Sequence, residues 1–95
     1  MQTDKKLASF LKLLKEMEQR GFLKDFFRLF FTIEEREMLI KRYNIIQALL
    51  EGTKTQREMS EQLDVSISQI TRGSNELKQT TSRFTTALRD AICSK

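Results

Sequence analysis

Two short polar signals lying close together constrain this chain more than anything else in it. Thr55-Gln56-Arg57-Glu58 and Ser66-Ile67-Ser68-Gln69 each place a hydroxyl residue three positions before a Glu or Gln. In such a box the hydroxyl accepts the N–H of the third helical residue, and that residue's side chain accepts the N–H of the cap. Each box therefore predicts where a helix begins. The first helix carries Met59 and Leu63 on one face, and the second runs from Ser66 to Lys78. Val65, just before the second cap, can staple onto Ile70 one turn in. Only Asp64 and Val65 separate the two helices, and Asp is among the few non-glycine residues that tolerate a left-handed turn. Short helix, tight turn and capped second helix form a helix-turn-helix signature. An ordinary helical hairpin around a small core has the same pattern, so both readings stand on pattern alone.

The remaining chain reads as helix throughout. Its 95 residues suit one small domain, 1–95, and no proline, three glycines and many Leu, Met, Lys, Glu and Gln favour an all-α fold of about six helices. Leu7, Phe10, Leu11, Leu14 and Met17 recur at helical spacing, and Gly21 is a natural C-terminal cap. Thr32 with Glu35 forms another capping box and opens a long helix. Along it Leu39, Tyr43, Ile46 and Leu50 form an apolar stripe that Met38, Ile45 and Leu49 widen, and Gly52 ends it. Ser82 is the expected cap of a last helix bearing Phe84, Leu88 and Ile92. The expected division is a dimerisation core at 1–53, the helix-turn-helix at 54–79 and a C-terminal helix at 80–95.

Between the first and the long helix lies Phe22 to Phe31, which holds five of the chain's seven phenylalanines. A helix apolar almost all round must be covered on more than one side, and so small a domain has few other helices to do it. The cluster therefore argues for a homodimer, against the plainer reading of a locally dense monomeric core.

Charge and composition narrow the function. The net charge of +4 suits an anionic partner, but it is spread evenly on either side of Glu51, with no basic tail. Histidine is absent, which removes His-based triads and His-ligated metals, and no glycine loop is built to cradle phosphate. An enzyme is not expected. One cysteine, Cys93, offers no disulfide framework and points to a reducing cytoplasm. No apolar run is long enough for a membrane span, so no membrane partner is expected.

If the second capped helix meets double-stranded DNA, its exposed front offers Ser66, Ile67, Ser68, Gln69 and Thr71. Gln69 can pair bidentately with adenine, and Ile67 or the Thr71 methyl can touch a thymine methyl. Arg57, Lys78, Lys54 and Gln56 are suited to phosphates, which set orientation and not sequence. Taken singly, each is also an ordinary polar residue on a solvated face. Gly73 is the odd one. Inside a helix it costs about 0.5–1 kcal/mol relative to alanine, so either another helix approaches closely there or something else needs the space.

Ile70-Thr71-Arg72-Gly73-Ser74-Asn75 followed by Leu77-Lys78 resembles the recognition helix of the tryptophan repressor family. Thr32-Ile33-Glu34-Glu35-Arg36-Glu37 resembles the start of that family's central helix. The spacing between the two blocks fits without a gap through Arg42, Leu49-Leu50, Gly52 and Gln56-Arg57-Glu58, and the likeness covers about Leu7 to Lys78. It implies an intertwined homodimer that binds a near-palindromic operator when L-tryptophan is bound as corepressor, with no other cofactor. Arg72 and Arg42 match the two arginines that hold the ligand's ring between guanidinium planes, Arg72 also meeting its carboxylate. Thr32 matches the hydroxyl that helps bind the carboxylate, and Leu29 and Phe31 match the wall whose carbonyls approach the ligand. Gly73 matches the residue whose missing β-carbon leaves room for it. Glu76 departs from the family's frequent serine and could pair with the ligand's ammonium. Phe31 is bulkier than the usual leucine, Asp64 and Ser66 replace small turn residues, and the N-terminal arm of some members is nearly missing. The implied function is a tryptophan-dependent transcriptional repressor. The alternatives are a regulator that answers another ligand or none, and a helical protein-interaction module.

Overall fold

Four helix starts in this chain are closed by hydroxyl side chains, those of Thr32, Thr55, Ser66 and Thr81. The computed structural model describes residues 2–93; Met1, Ser94 and Lys95, which the expected 1–95 domain includes, lie outside the described residues. Six helices follow in order: α1 (Gln2–Gln19), α2 (Leu23–Phe30), α3 (Ile33–Glu51), α4 (Gln56–Leu63), α5 (Ile67–Lys78) and α6 (Ser82–Cys93). No strand occurs among the described residues, and the all-α expectation holds.

α1 ends where Gly21 takes φ +82°. The Phe22 N–H reaches back to the Met17 carbonyl at 2.8 Å, and the Gly21 N–H to that of Glu18 at 3.1 Å. This pair of bonds is the Schellman motif, which needs a residue free of the β-carbon penalty. α3 begins as its box predicts: the Glu35 N–H donates to Thr32 Oγ1 at 3.1 Å, and the Thr32 N–H to Glu35 Oε1 at 2.8 Å. It stops at Gly52, with φ +68°, whose N–H bonds the Ala48 carbonyl at 3.0 Å.

The last helix starts one residue earlier in register than expected. Thr81, not Ser82, is its cap: the Phe84 N–H donates to Thr81 Oγ1 at 3.2 Å, and the Thr85 N–H to the Thr81 carbonyl at 3.0 Å. Ser82 is already the first helical residue. Neighbouring hydroxyls compete for a cap, and the one three residues before a free N–H takes it.

The chain divides into two compact units, Met1–Arg36 and Glu37–Lys95. In the first, α1 and α2 pair through phenylalanine. The Phe10 ring lies 5.2 Å from that of Phe26 and 5.5 Å from that of Phe30, the latter edge to face. Such offset and T-shaped contacts suit the ring quadrupoles. Only Phe26 is buried here, while Phe22, Leu29 and Phe30 stay exposed, Leu29 to 78%. The segment predicted to need covering on several sides is open on most of them.

The second unit holds the larger core. Ile45 and Ala48 of α3 cluster with Met59 of α4, Val65 of the turn and Ile70 of α5, and Leu49 and Leu63 pack against them. Val65 and Ile70 thus share the core the staple called for. The boundary between these compact units falls inside α3, because the C-terminal half of α3 forms one core with α4 and α5. The stripe on α3 divides accordingly. Ile45 and Leu50 are buried, whereas Met38, Leu39 and Tyr43 are exposed.

Between α4 and α5 the chain turns on Asp64, at φ 54° and ψ 53° in the left-handed region. The Asp64 and Val65 N–H groups both reach the Ser60 carbonyl, the latter at 3.3 Å. Ser60 Oγ in return donates to the Val65 carbonyl at 2.6 Å. A short helix, a left-handed turn and a second capped helix therefore stand where the sequence placed them.

Candidate ligand cleft and nucleic-acid interface

Two concavities meet at α5. The smaller, of about 60 Å³, is lined by Met38, Lys41, Arg42 and Ile45 of α3 and by Gln69 and Arg72 of α5. Positions 38, 41, 42 and 45 share a helical face, as 69 and 72 do. Three cations and no carboxylate line it. Neither arginine has an ion-pair partner among the described residues, where the pairs are Arg20 with Glu16 and Arg57 with Glu61. Guanidiniums left free in this way can fork onto a carboxylate or stack on a ring. Arg42 and Arg72, 30 positions apart in sequence, are thus brought together as expected.

The larger concavity, about 370 Å³ and open, lies along the exposed front of α5 between Ile67, Ser68, Thr71, Arg72 and Asn75. Ile67, Thr71 and Asn75 recur at four-residue steps on one face, and of the five residues expected at the front the concavity brings together Ile67, Ser68 and Thr71 but not Ser66 or Gln69. Asn75 was missed by sequence reasoning, although its spacing from Thr71 signals it. Lys41 and Met38 of the smaller cleft were missed too, although both stand within a helical turn of Arg42.

Gln69 completes the cap of α5 as its box predicts, and it lines the arginine cleft and not the concavity along the front. The Ser66 N–H donates to its Oε1 at 2.8 Å, its own N–H donates to Ser66 Oγ at 3.1 Å, and it is half-buried against the arginine cleft. The Ser66 hydroxyl is engaged in the same box.

At Gly73 another helix does approach closely. A β-carbon there would meet Ile45 Cγ2 at 3.0 Å, with Ile46 and Leu49 methyls at 3.9 Å. The absent side chain is where α3 packs, which accounts for this glycine.

The other expected residues are placed as follows. Leu29, Phe31 and Thr32 belong to the first unit, where Thr32 caps α3 and Leu29 helps line an apolar groove of about 380 Å³ with Leu13, Met17, Phe22, Phe26 and Phe30. Glu76 is exposed and lines neither concavity at α5. Gln56, Arg57 and Lys78 are exposed, and Lys54 is half-buried just before α4. Arg57 Nε lies 3.4 Å from Glu61 Oε1, an exposed pair that breaks at little cost. Glu58 closes the α4 box, with the Thr55 N–H on its Oε1 at 2.9 Å. That backbone bond, then the Thr55 hydroxyl and the charge of Lys54, hold its carboxyl below the ordinary glutamate value. No helix among the described residues is long and apolar enough to cross a membrane.

Comparison with known proteins gives these features a common origin. A sequence profile described as Trp repressor protein matches residues 5–92. A Trp operon repressor homolog of Chlamydia trachomatis serovar L2 is 49% identical over 84 residues, which is 88% of this chain and 89% of that protein. One of Chlamydia caviae is 46% identical over 77 residues, covering 81% and 76% of the two chains. One of Vibrio cholerae serotype O1 is 44% identical over 68 residues, covering 72% and 66%. With its two arginines in one cleft beside α5, and a profile match along nearly its whole length, this chain belongs to the Trp repressor family of regulators.

Proposed function

We propose that this chain is a tryptophan-responsive transcriptional repressor: a homodimer that grips a near-palindromic operator through α4 and α5 when L-tryptophan occupies the Arg42–Arg72 cleft. The observation that carries the reading is the double placement of α5. One side of it lines a cleft of three cations, and its exposed front presents Ile67, Ser68, Thr71 and Asn75. A small carboxylate on the first side is therefore within one helix of a surface suited to a major groove.

A cleft of about 60 Å³ is far below the roughly 300–1,000 Å³ that encloses a whole drug-sized ligand. It takes the charged end of an amino acid, while the ring lies over the guanidinium faces. The resemblance matches Leu29, Phe31, Thr32 and Glu76 to ligand-contacting positions, and the cleft itself is lined without them. Arg57, Lys78, Lys54 and Gln56 serve as phosphate contacts. Exposed Phe22, Leu29 and Phe30, with Leu7 and Leu11 of α1, supply the apolar surface that a second copy covers. Two-fold symmetry then sets two α5 helices about 34 Å apart, one per successive major groove.

The ligand changes operator affinity only as far as it prefers the operator-competent arrangement, so each must strengthen the other equally. Calorimetric titration of L-tryptophan, with and without a duplex selected from random sequence by this protein, tests the reading. Heat from tryptophan that grows in affinity when the duplex is present supports it. Silence at millimolar tryptophan leaves a family member answering some other signal.

A further inference from the structure

The same carboxamide that closes the cap of α5 is also a wall of the arginine cleft. Gln69 Oε1 accepts the Ser66 N–H at 2.8 Å, and Gln69 lines the cleft together with Lys41, Arg42 and Arg72. Its amide nitrogen makes no hydrogen bond to another side chain or to the backbone among the described residues. The equivalent box at α4 has nearly the same geometry, with the Thr55 N–H on Glu58 Oε1 at 2.9 Å and the Glu58 N–H on Thr55 Oγ1 at 3.1 Å. Neither Thr55 nor Glu58 lines the cleft. With the box of Thr32 and Glu35 at α3 the chain carries three like caps, of which the one at α5 touches the site and the one at α4 serves as an internal reference.

We propose that Gln69 is a positioning residue that passes occupancy of the cleft to the first turn of α5. The proposal rests on the tryptophan reading above. Arg42, Arg72 and Lys41 present only donors, so the Gln69 carbonyl is the accepting group on the α5 side, and the cap already holds it. A ligand that fills the cleft confines the carboxamide between itself and Ser66. With fewer places to go, the Gln69 oxygen stays on the Ser66 N–H for more of the time, and the first turn frays less. That turn carries Ile67 and Ser68, which line the exposed front. Ordering them before contact lowers the entropy cost of meeting a partner. A buried ring or a salt bridge is not required, since a single shared side chain joins the two places.

Backbone hydrogen exchange reads this directly. In the wild-type protein, saturating L-tryptophan should slow exchange of the Ser66 amide by about tenfold while leaving the Thr55 amide within about twofold of its ligand-free rate. Gln69→Met keeps the length of the side chain and removes both polar ends. It should lower Ser66 protection in the free protein and abolish the further slowing on ligand addition. A Gln69 that only caps would also lose protection in the variant, but the ligand-induced increment would persist. Occupancy is followed in parallel through the emission of added L-tryptophan, because the chain contains no tryptophan. Binding that protects Ser66 no more than Thr55, or an increment retained in Gln69→Met, overturns the role of Gln69 alone. Absence of any tryptophan binding to the wild type overturns both this inference and the reading on which it rests.

Discussion

Ile45 Cγ2 stands 3.0 Å from the point where a β-carbon on Gly73 would lie. Ile45 is 1% exposed and enclosed by the α3–α4–α5 core, so it has little freedom to retreat. Gly73→Ala gains about 1 kcal/mol of helix propensity but overpacks a filled site, at about 1–3 kcal/mol. A net loss of stability is expected in urea unfolding, with tryptophan affinity changed less than stability. A more stable alanine variant would mean that Ile45 yields, and that the glycine has another purpose.

Arg42→Ala and Arg72→Ala should each weaken L-tryptophan binding by about 1.5–3 kcal/mol, the usual worth of a hydrogen bond to a charged group. Indole, which has no carboxylate, should lose much less. Calorimetry with both ligands separates carboxylate capture from ring stacking. Equal losses for the two compounds would assign the arginines to the ring alone.

On DNA, Asn75→Ala should cost about 1–3 kcal/mol on a selected duplex and little on random sequence, as a base contact does. Arg57→Ala should weaken both and flatten the salt slope by about one unit, since its pairing with Glu61 at 3.4 Å is loose enough to be surrendered to a phosphate. Electrophoretic titrations at several salt concentrations distinguish them. Identical behaviour of the two variants would dissolve the division between base readers and phosphate holders.

Glu58 gives a pH signature. Its carboxyl is held below the ordinary glutamate value of 4.5 by the Thr55 N–H, the Thr55 hydroxyl and Lys54. As pH falls, the unfolded chain takes up this proton first, so stability drops from about that value downward and is lost once the folded carboxyl also protonates. Above pH 5 the contribution is fully present. Thermal melts between pH 3 and 6 should show a shallower slope for Glu58→Gln, which keeps an accepting oxygen but does not titrate. An unchanged slope would place the acid sensitivity elsewhere.

Leu29, 78% exposed beside Phe22 and Phe30, is the most open large apolar residue among the described residues of the first unit. Sedimentation equilibrium at micromolar concentration should find a dimer for the wild type and a weaker one for Leu29→Asp. A well-folded wild-type monomer would remove the two-fold operator argument.

Much of the local structure was legible because it is local. Thr32, Thr55 and Ser66 announce helices through bonds that span three residues, and Asp64 announces its turn through its own backbone preference. Ser82 failed by one position because Thr80, Thr81 and Ser82 are three adjacent hydroxyls, and only geometry selects among them. Gln69 was legible as a cap because that bond also spans three residues, whereas its place in the arginine cleft depends on α3 and was not. Gly73 was legible as a close approach, but the identity of its neighbour depends on a residue in another helix. The meeting of Arg42 with Arg72 is likewise long-range, and resemblance supplied what pattern could not. Asn75 needed only the continuation of a four-residue step already in use.

The turn at Asp64 has a mechanical consequence. The Ser60 carbonyl is shared by two N–H groups across it, and Ser60 Oγ returns a bond of 2.6 Å to Val65. With Met59, Val65 and Ile70 in one core, α4 and α5 behave as a bracket with a welded corner. A push on one arm swings the other, and no angle between them is available to absorb it. Ile45 and Ala48 of α3 belong to the same core, so α3 holds the bracket as well, and Gly52 with its positive φ serves as the stop of α3. Whatever tilts α5 therefore carries Arg57 along, so that groove contacts and backbone contacts come into register, or leave it, in one stroke.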